Sequence, residues 1–285
     1  MKPNPVFRNQ SKAFWAYVRS ISQQVGYTRK AIGAETSSQV LIPSIDQMCQ
    51  AIEKLALNAS KIRTPDGSET HLGAMLHAYF QHRANVLNAE IQTQLMTASQ
   101  AKHEYESLAK KMSYSCPIPF NKQKGAMKAP AFLTAMVNML IEANIAGGKC
   151  DYDPRILTTV TAAGCPVRTL ARRVDGAFPS AVNPTAIWEV KEYYYTTSFG
   201  SRIADGVYET LLDGMELEEL RLSENIEVKH YLMIDGYKTW WEDGKSYLCR
   251  IVDMVHMGYV DEVLIGREVL QHLPAIAKSW IANEV

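Results

Sequence analysis

Residues 174–179 read Val-Asp-Gly-Ala-Phe-Pro, and residues 187–195 read Ile-Trp-Glu-Val-Lys-Glu-Tyr-Tyr-Tyr. The β-branched and aromatic side chains of the second segment favour a strand over a helix. Because side chains alternate between the two faces of a strand, Glu189 and Lys191 are predicted to project from one face. Asp175 precedes Glu189 by fourteen positions, with turn-forming residues between them. Two neighbouring strands would therefore bring both carboxylates to one point.

This arrangement suits a metal-dependent hydrolase. Two carboxylates at ligand distance fit a hard divalent cation such as Mg2+, with the carbonyl of Val190 as a third protein ligand. A lysine beside that cation holds a water and a phosphate oxygen, as metal-assisted phosphodiester hydrolysis requires. The spacing alone is loose, however, and an exposed Glu and Lys two positions apart on a strand are usually solvated. Both a nuclease site and an ordinary surface pair remain open on spacing alone.

The composition is that of an ordinary globular chain. Its 285 residues are long enough for a substantial core and one or two domains. The formal net charge is zero, but residues 1–65 carry nine Lys and Arg against three acidic residues, and residues 202–227 carry two against eight. This uneven distribution of charge would let one face of the protein attract phosphates, although ordinary solvated surface charges explain the distribution equally well.

Cysteine usage and the N-terminus indicate the compartment. The five cysteines form no CxxC pair, which argues against a disulfide framework or a zinc module and favours a reducing cytoplasm. The N-terminus has no apolar core of a signal peptide, and no run approaches the ~20 apolar residues of a membrane span. We expect a cytoplasmic protein with no membrane partner.

Apolar residues at helical spacing predict an all-helical region over residues 1–115. Its helices are expected at residues 10–24, after an N-cap at Ser44, and in one long stretch over residues 72–111. Residues 116–130 are rich in proline and lysine and form the predicted boundary. Lys122, Lys124 and Lys128 suit a DNA-contacting loop, and an ordinary linker is equally open.

Residues 131–285 mix helices and strands. A helix over residues 130–145, which contains Glu142, is expected to precede a strand at 156–163, the Asp175 strand and the Glu189 strand. A helix over residues 202–222 follows, and its inner stripe is predicted to be Ile203, Val207, Leu211 and Leu212. The remaining elements are a buried strand at 228–236, a helix after Gly244, a strand at 262–266 and a C-terminal helix.

The order helix, three strands, helix, strand, with Asp175 on the second strand and Glu189-Val190-Lys191 on the third, resembles the common core of the PD-(D/E)xK nuclease superfamily. The type II restriction endonucleases are its most familiar soluble members. The resemblance covers roughly residues 130–270, and Val174 stands where the proline of the family name would be. It implies a mixed α/β (α+β) fold with a restriction-endonuclease-like core, in which helices flank a central mixed β-sheet, plus the helical N-terminal region.

The resemblance also implies roles for individual residues. Asp175 and Glu189 match the two metal-binding acids, and Lys191 matches the lysine that positions the attacking water. Glu142 lies where some members carry an extra acid, although a solvated helix residue would look the same. Ser198, Ser201 and Arg202 open the following helix and suit a phosphate, whereas plain capping would need the same serines.

The implied function is that of an Mg2+-dependent endonuclease on double-stranded DNA, most similar to a type II restriction enzyme acting as a homodimer. The basic helical region, residues 1–115, would contribute DNA grip, recognition or dimerisation. One alternative is a structure-specific repair or phage nuclease, such as a resolvase or exonuclease. Another is a non-catalytic DNA-binding protein that has a nuclease-like fold.

Overall fold

A computed structural model describes residues 1–33, 38–121, 123–125, 128–195 and 200–282. The fold is mixed α/β, with many helices and a five-stranded mixed sheet. The chain forms two compact units. A helical unit contains Pro3–Thr93 and Gly244–Met257, and a sheet unit contains Met1–Lys2, Gln94–Asp243 and Gly258–Val285. The units therefore divide the chain at other positions than the predicted linker at residues 116–130.

The α-helices of the described residues are α1 (Pro5–Arg8), α2 (Lys12–Val25), α3 (Ile45–Lys54), α4 (His71–Asn85), α5 (Gln92–Gln94), α6 (Ala98–Lys111), α7 (Phe132–Asn144), α8 (Ser201–Glu224), α9 (Lys245–His256) and α10 (Glu268–Ala282). A 3-10 turn forms at Ala59–Lys61, and π-helical turns form at Val86–Ile91 and Tyr237–Asp243. The strands are β1 (Thr28–Arg29), β2 (Gln39–Val40), β3 (Asp151–Tyr152), β4 (Thr159–Ala162), β5 (Cys165–Thr169), β6 (Gly176–Phe178), β7 (Ala186–Lys191), β8 (Lys229–Ile234) and β9 (Glu262–Ile265). No helix of the described residues has the length and apolar character needed to cross a membrane.

The helical unit has an apolar core built from one face each of α2, α3 and α4. The predicted N-cap is confirmed, because the Ser44 hydroxyl accepts from the Gln47 N–H at 3.2 Å and Gln47 returns a bond to the Ser44 N–H, which forms a capping box. The long stretch predicted over residues 72–111 is helical for most of its length, but it is not continuous. A π-helical turn follows α4, helix α5 ends at Gln94, and a second capping box at Thr97 starts α6.

The sheet unit is organised by the strand order β3-β6-β7-β8-β9. Strands β3, β6 and β7 pair antiparallel, whereas β7, β8 and β9 run parallel. Parallel neighbours need a crossover connection, which α8 supplies between β7 and β8. The Glu189 strand is thus the third of five strands and has neighbours on both sides.

The strand predicted at residues 156–163 does not join this sheet. Only Thr159–Ala162 is extended, and it pairs with β5 in a separate two-stranded sheet. Ala163 and Gly164 connect the pair with φ of 48° and 81°, the sign that a tight two-residue hairpin turn requires. The first strand of the central sheet is instead β3, which pairs with β6.

Strand β7 buries both of its faces. Trp188 packs in an apolar core with side chains of α7 and α10, including Trp280, whose ring stacks on it at 5.5 Å. Ile187, on the opposite face, packs against Val174, Leu217 and other apolar residues. Because the faces alternate, Glu189 and Lys191 share the Ile187 face, as the sequence predicts.

Gly176 allows this packing. It is paired with Trp188 across β6 and β7, and a Cβ atom at position 176 would lie 2.1 Å from the indole ring. The absence of a side chain at position 176 therefore leaves room for Trp188 beside the two predicted acids.

Candidate active site

Asp175 and Glu189 meet where β6 and β7 pair. Asp175 lies one residue before β6, and its N–H donates to Oε1 of Glu189 at 3.2 Å. Its own carboxylate accepts from the Val190 N–H at 2.8 Å. Asp175 and Glu189 come together across fourteen residues of sequence because β6 and β7 are antiparallel neighbours.

Lys191 completes the predicted set. Its Nζ lies 2.6 Å from Oε2 of Glu189 and 3.1 Å from Oε2 of Glu209 on α8. Glu189 is fully buried, and Lys191 is 8% exposed. This is a buried ion pair, which differs from the solvated surface pair that the spacing also allowed.

Arg172 is a site residue that the sequence reasoning missed. Its Nη2 donates to Oε2 of Glu189 at 3.1 Å, and its Nη1 lies 2.9 Å from Oε1, so Arg172 contacts both carboxylate oxygens. The same Nη1 lies 2.6 Å from Oδ2 of Asp213, and Nη2 lies 3.5 Å from Oε2 of Glu209. Arg172 thus links Glu189 of β7 to two acids of α8.

The spacing of the acidic residues in α8 indicates from the sequence that they lie together. Asp205, Glu209 and Asp213 recur at intervals of four, which places them on one face of a helix. The inner stripe predicted for this helix is correct at Ile203 and Val207 but wrong at Leu212, which is 43% exposed. Asp213 takes the inward position because Arg172 lies there to pair with it.

We call Asp175, Glu189, Lys191, Arg172, Glu209 and Asp213 the acid–base cluster. Burial disfavours the charge of Glu189, but Lys191 and Arg172 outweigh burial and hold the pKa of Glu189 below its usual value. Burial likewise disfavours the charged lysine, but the carboxylates of Glu189 and Asp175 hold the pKa of Lys191 above its usual value. Glu189 and Lys191 are therefore both charged near neutral pH.

The other two acids behave differently. Asp175 is exposed as a residue, but the protein atoms that desolvate its carboxyl and the charge of Glu189 raise its pKa to about 6. Burial, followed by the charge of Glu189, raises the pKa of Asp213 to about 7. Negative charge is thus crowded in the cluster even with both cations in place.

A cavity of about 680 Å³ opens beside the cluster. Its walls include Asp175, Val190, Lys191, Arg172 and Glu209. Further acids, aromatic rings and polar side chains complete the lining, among them Asp153, Glu192, Asp205, Phe120, Tyr193, Asn138 and Arg202. Four charged groups of the cluster are thus accessible to a ligand in this cavity, whereas Glu189 and Asp213 are fully buried behind them.

Glu142 does not line the cavity. Its carboxylate accepts from the N–H groups of Ser115 at 2.9 Å and Cys116 at 3.1 Å, and from the Ser115 hydroxyl. Although partial burial opposes the charge, these bonds hold the pKa of Glu142 below its usual value. Glu142 fixes the chain that follows α6, and the structure does not bring it to Asp175 and Glu189.

The residues predicted to contact DNA lie in several places. Ser201 and Arg202 open α8 and are exposed, and Arg202 lines the cavity. Lys124 and Lys128 are exposed, and the Lys128 Nζ lies 5.5 Å from the ring centre of Phe120. Ser198 and Lys122 lie outside the described residues.

Two family models match the chain. Residues 96–280 match the domain of unknown function DUF7687, and residues 1–90 match the domain of unknown function DUF7690. No curated protein and no solved structure matches it. Since the first match spans more than half of its length, the chain belongs to the DUF7687 family.

Proposed function

We propose that this protein is an Mg2+-dependent endonuclease that hydrolyses phosphodiester bonds of double-stranded DNA, in the manner of a type II restriction enzyme. The observation that carries the proposal is the convergence of Asp175, Glu189 and Lys191 beside one open cavity. The expected homodimer and a cytoplasmic location are parts of the same proposal, and the five free cysteines favour a reducing compartment.

The order of elements supports a restriction-endonuclease-like core. The series α7, β3, β6, β7, α8, β8 gives the helix, three strands, helix and strand expected from the sequence, once the β4–β5 hairpin is treated as an insertion. Asp175 lies one residue before the second of these strands, and Glu189 and Lys191 lie on the third.

The charge of the acid–base cluster fits a divalent cation. Two cations face four carboxylates, so the fully ionised cluster has a net charge of −2. Asp175 and Glu189 would hold the ion with the Val190 carbonyl, an all-oxygen set of the kind that Mg2+ prefers. When bound, Mg2+ supplies Lewis-acid stabilisation of the charge that develops on the phosphate.

The chain's own residues would orient the substrate. Lys191 is protonated, so it acts as a hydrogen-bond donor that holds a water or a phosphate oxygen, and it does not act as a base. Arg202, which opens α8 and lines the cavity, would supply a second phosphate contact together with N–H groups of the first turn of that helix. Lys124 and Lys128 would add phosphate contacts outside it.

A structure-specific nuclease is the second candidate, and Phe120 favours it. This ring lines the cavity, is 58% exposed and lies beside the Lys128 cation. An exposed ring next to a cation suits the stacking of an unpaired base with its phosphate. Such a protein would act on frayed, flapped or branched DNA.

Purified protein incubated with plasmid and phage DNAs, in Mg2+ and in EDTA, tests the proposal. Discrete fragments that require Mg2+ support a restriction enzyme. Cleavage confined to ends, flaps or branches supports the second candidate. DNA binding without cleavage in Mg2+ or Mn2+ would contradict both and favour a non-catalytic binding protein.

A further inference from the structure

Both carboxylate oxygens of Glu189 are already engaged by groups of the protein. Oε1 accepts from the Asp175 N–H at 3.2 Å and lies 2.9 Å from Arg172 Nη1 in an ion pair, and Oε2 accepts from Arg172 Nη2 at 3.1 Å and from Lys191 at 2.6 Å. Two of these partners are positively charged and would repel a divalent cation placed beside Glu189. A metal ion must therefore compete with one of them for Glu189.

Arg172 is the donor whose alternative partner, Asp213, has a buried oxygen without a donor. Its Nη1 already lies 2.6 Å from Oδ2 of Asp213, which is fully buried. The other oxygen, Oδ1 of Asp213, is also buried and accepts no hydrogen bond from any described residue. A buried acceptor without a donor is costly. Arg172 can therefore leave Glu189, keep Asp213 and gain a bond to Oδ1, which partly offsets the bonds that it loses.

Arg172 also has room and access for this movement. Its side chain is 22% exposed and lines the cavity, whereas the Lys191 side chain is 9% exposed. Lys191 also has a second partner, but the side chain of Glu209 is 44% exposed, so no buried acceptor would gain a donor if Lys191 moved to it.

We propose that Arg172 and the divalent cation compete for Glu189, and that cation binding transfers Arg172 to Asp213. This inference rests on the proposed function, because it takes Glu189 as a metal ligand. Arg172 is a positioning residue in this scheme. When no cation is bound, Arg172 compensates the buried negative charge of Glu189. Molecules in which Arg172 occupies Glu189 cannot bind the cation there, so the apparent cation affinity falls in proportion to their fraction.

Mn2+ binding without DNA, measured by calorimetry and by electron paramagnetic resonance of free Mn2+, tests the competition. Arg172→Lys keeps the positive charge, but a lysine has a single nitrogen and cannot contact both oxygens of Glu189 as the arginine does. It should therefore compete less well with the cation, and the variant should bind Mn2+ about tenfold more tightly than the wild type. Arg173→Lys is the matched control, because Arg173 is the adjacent arginine and is exposed. It should bind Mn2+ as the wild type does.

Asp213→Asn tests the receiving side. It should weaken Mn2+ binding severalfold in the wild-type background. In the Arg172→Lys background it should change Mn2+ binding much less, because that variant has no arginine that could move from Glu189 to Asp213. Equal effects in both backgrounds would mean that Asp213 acts only through its charge, and the proposed exchange would be wrong.

The outcomes separate the two proposals. If the wild type binds Mn2+ and Arg172→Lys binds it no more tightly than Arg173→Lys, the competition is overturned and the metal site stands. If the wild type binds neither Mn2+ nor Mg2+, the proposed function itself fails.

A crystal structure of the wild type with Mn2+ gives the same answer without any variant. We expect the anomalous signal at Glu189 and an Arg172 nitrogen within about 3 Å of Oδ1 of Asp213. If Mn2+ is bound and Arg172 still contacts both carboxylate oxygens of Glu189, the inference is overturned.

Discussion

The Nζ of Lys191 lies 2.6 Å from Oε2 of Glu189, two residues earlier on the same strand. Strand alternation brings these side chains to one face, and burial then makes each depend on the other for charge compensation. Because two carboxylates keep the lysine protonated, it serves as a hydrogen-bond donor in the proposed mechanism.

Loss of that donor should reduce cleavage without unfolding the protein. We expect Lys191→Met to lower the rate of Mg2+-dependent plasmid cleavage by at least about 100-fold, the usual effect of removing one transition-state donor. Asp175→Asn should have a similar effect, because it removes a proposed metal ligand. Circular dichroism melts check that each variant is folded. Wild-type cleavage by either one would remove that residue from the mechanism.

Glu142 gives the opposite expectation. Glu142→Gln should leave cleavage intact, because Glu142 bonds to Ser115 and Cys116 and does not line the cavity. It should lower the free energy of unfolding by about 1 kcal/mol, because charged acceptor bonds are replaced by weaker ones. Urea denaturation and the plasmid assay measure the two effects. A cleavage defect in a folded Glu142→Gln protein would restore the predicted role of this acid as an extra ligand.

Gly176→Ala should destabilise the sheet next to the site. The added methyl would lie 2.1 Å from the Trp188 ring, so we expect a loss of about 1–3 kcal/mol in urea denaturation, as for other overpacked cores. Cleavage should fall too, because Trp188 precedes Glu189 and Gly176 follows Asp175. In a Trp188→Leu background the same substitution should cost clearly less. An equal cost in both backgrounds would show that the ring contact is not the cause.

The helical unit contains a buried ion pair that should dominate its stability. Arg83 Nη1 lies 3.1 and 3.2 Å from the two carboxylate oxygens of Asp253, and Tyr79 also donates to that carboxylate. Arg83→Met should lower stability by about 3–5 kcal/mol, because it leaves a buried carboxylate without its cation.

The matched control for this pair is Arg63→Met in the same unit, which breaks the more exposed pair with Asp46 and should cost less than about 1 kcal/mol. Chemical denaturation followed by tryptophan fluorescence gives both values. Similar costs for the two variants would contradict the importance of burial.

A histidine pair should make the helical unit sensitive to acid. The Nε2 atoms of His82 and His256 lie 3.1 Å apart, and His256 also bonds through Nδ1 to the Val252 carbonyl at 2.7 Å. Burial lowers the pKa of His256 to about 4 and lowers the pKa of His82 as well. An unfolded histidine titrates near ~6.5. Between these values the unfolded chain binds more protons than the folded chain, so stability present above pH ~6.5 is lost as the pH falls toward 4.

The loss attributable to His256 should approach about 1.4 kcal/mol for each pH unit within that window. Urea denaturation of the wild type and of His256→Asn at pH 7.5 and pH 5 measures it, and the variant should show a shallower pH dependence. His71→Asn, at an exposed position, is the control substitution. Parallel pH profiles for the wild type and His256→Asn would exclude His256 as the source.

Much of the local structure follows from the sequence because it depends on short periods. Alternation over residues 187–191 places Glu189 and Lys191 on one face, and the Ser44 signature defines the start of α3. Antiparallel pairing of consecutive strands then brings Asp175 to Glu189. These features require only neighbouring residues or neighbouring strands, so periodicity and turn chemistry are enough to predict them.

Other features depend on which elements pack together across long separations, and only the tertiary structure decides them. Arg172 pairs with Asp213 forty-one positions later, and His82 lies against His256 at a separation of 174 positions. Glu142 accepts from the Ser115 N–H and does not line the cavity. Ion pairs and capping bonds of this kind leave no period in the sequence, because their geometry exists only after the helices and sheet have packed. The sequence by itself therefore determined that Asp175, Glu189 and Lys191 come together in the candidate site. Only the packing of distant elements decided that Arg172 already contacts Glu189.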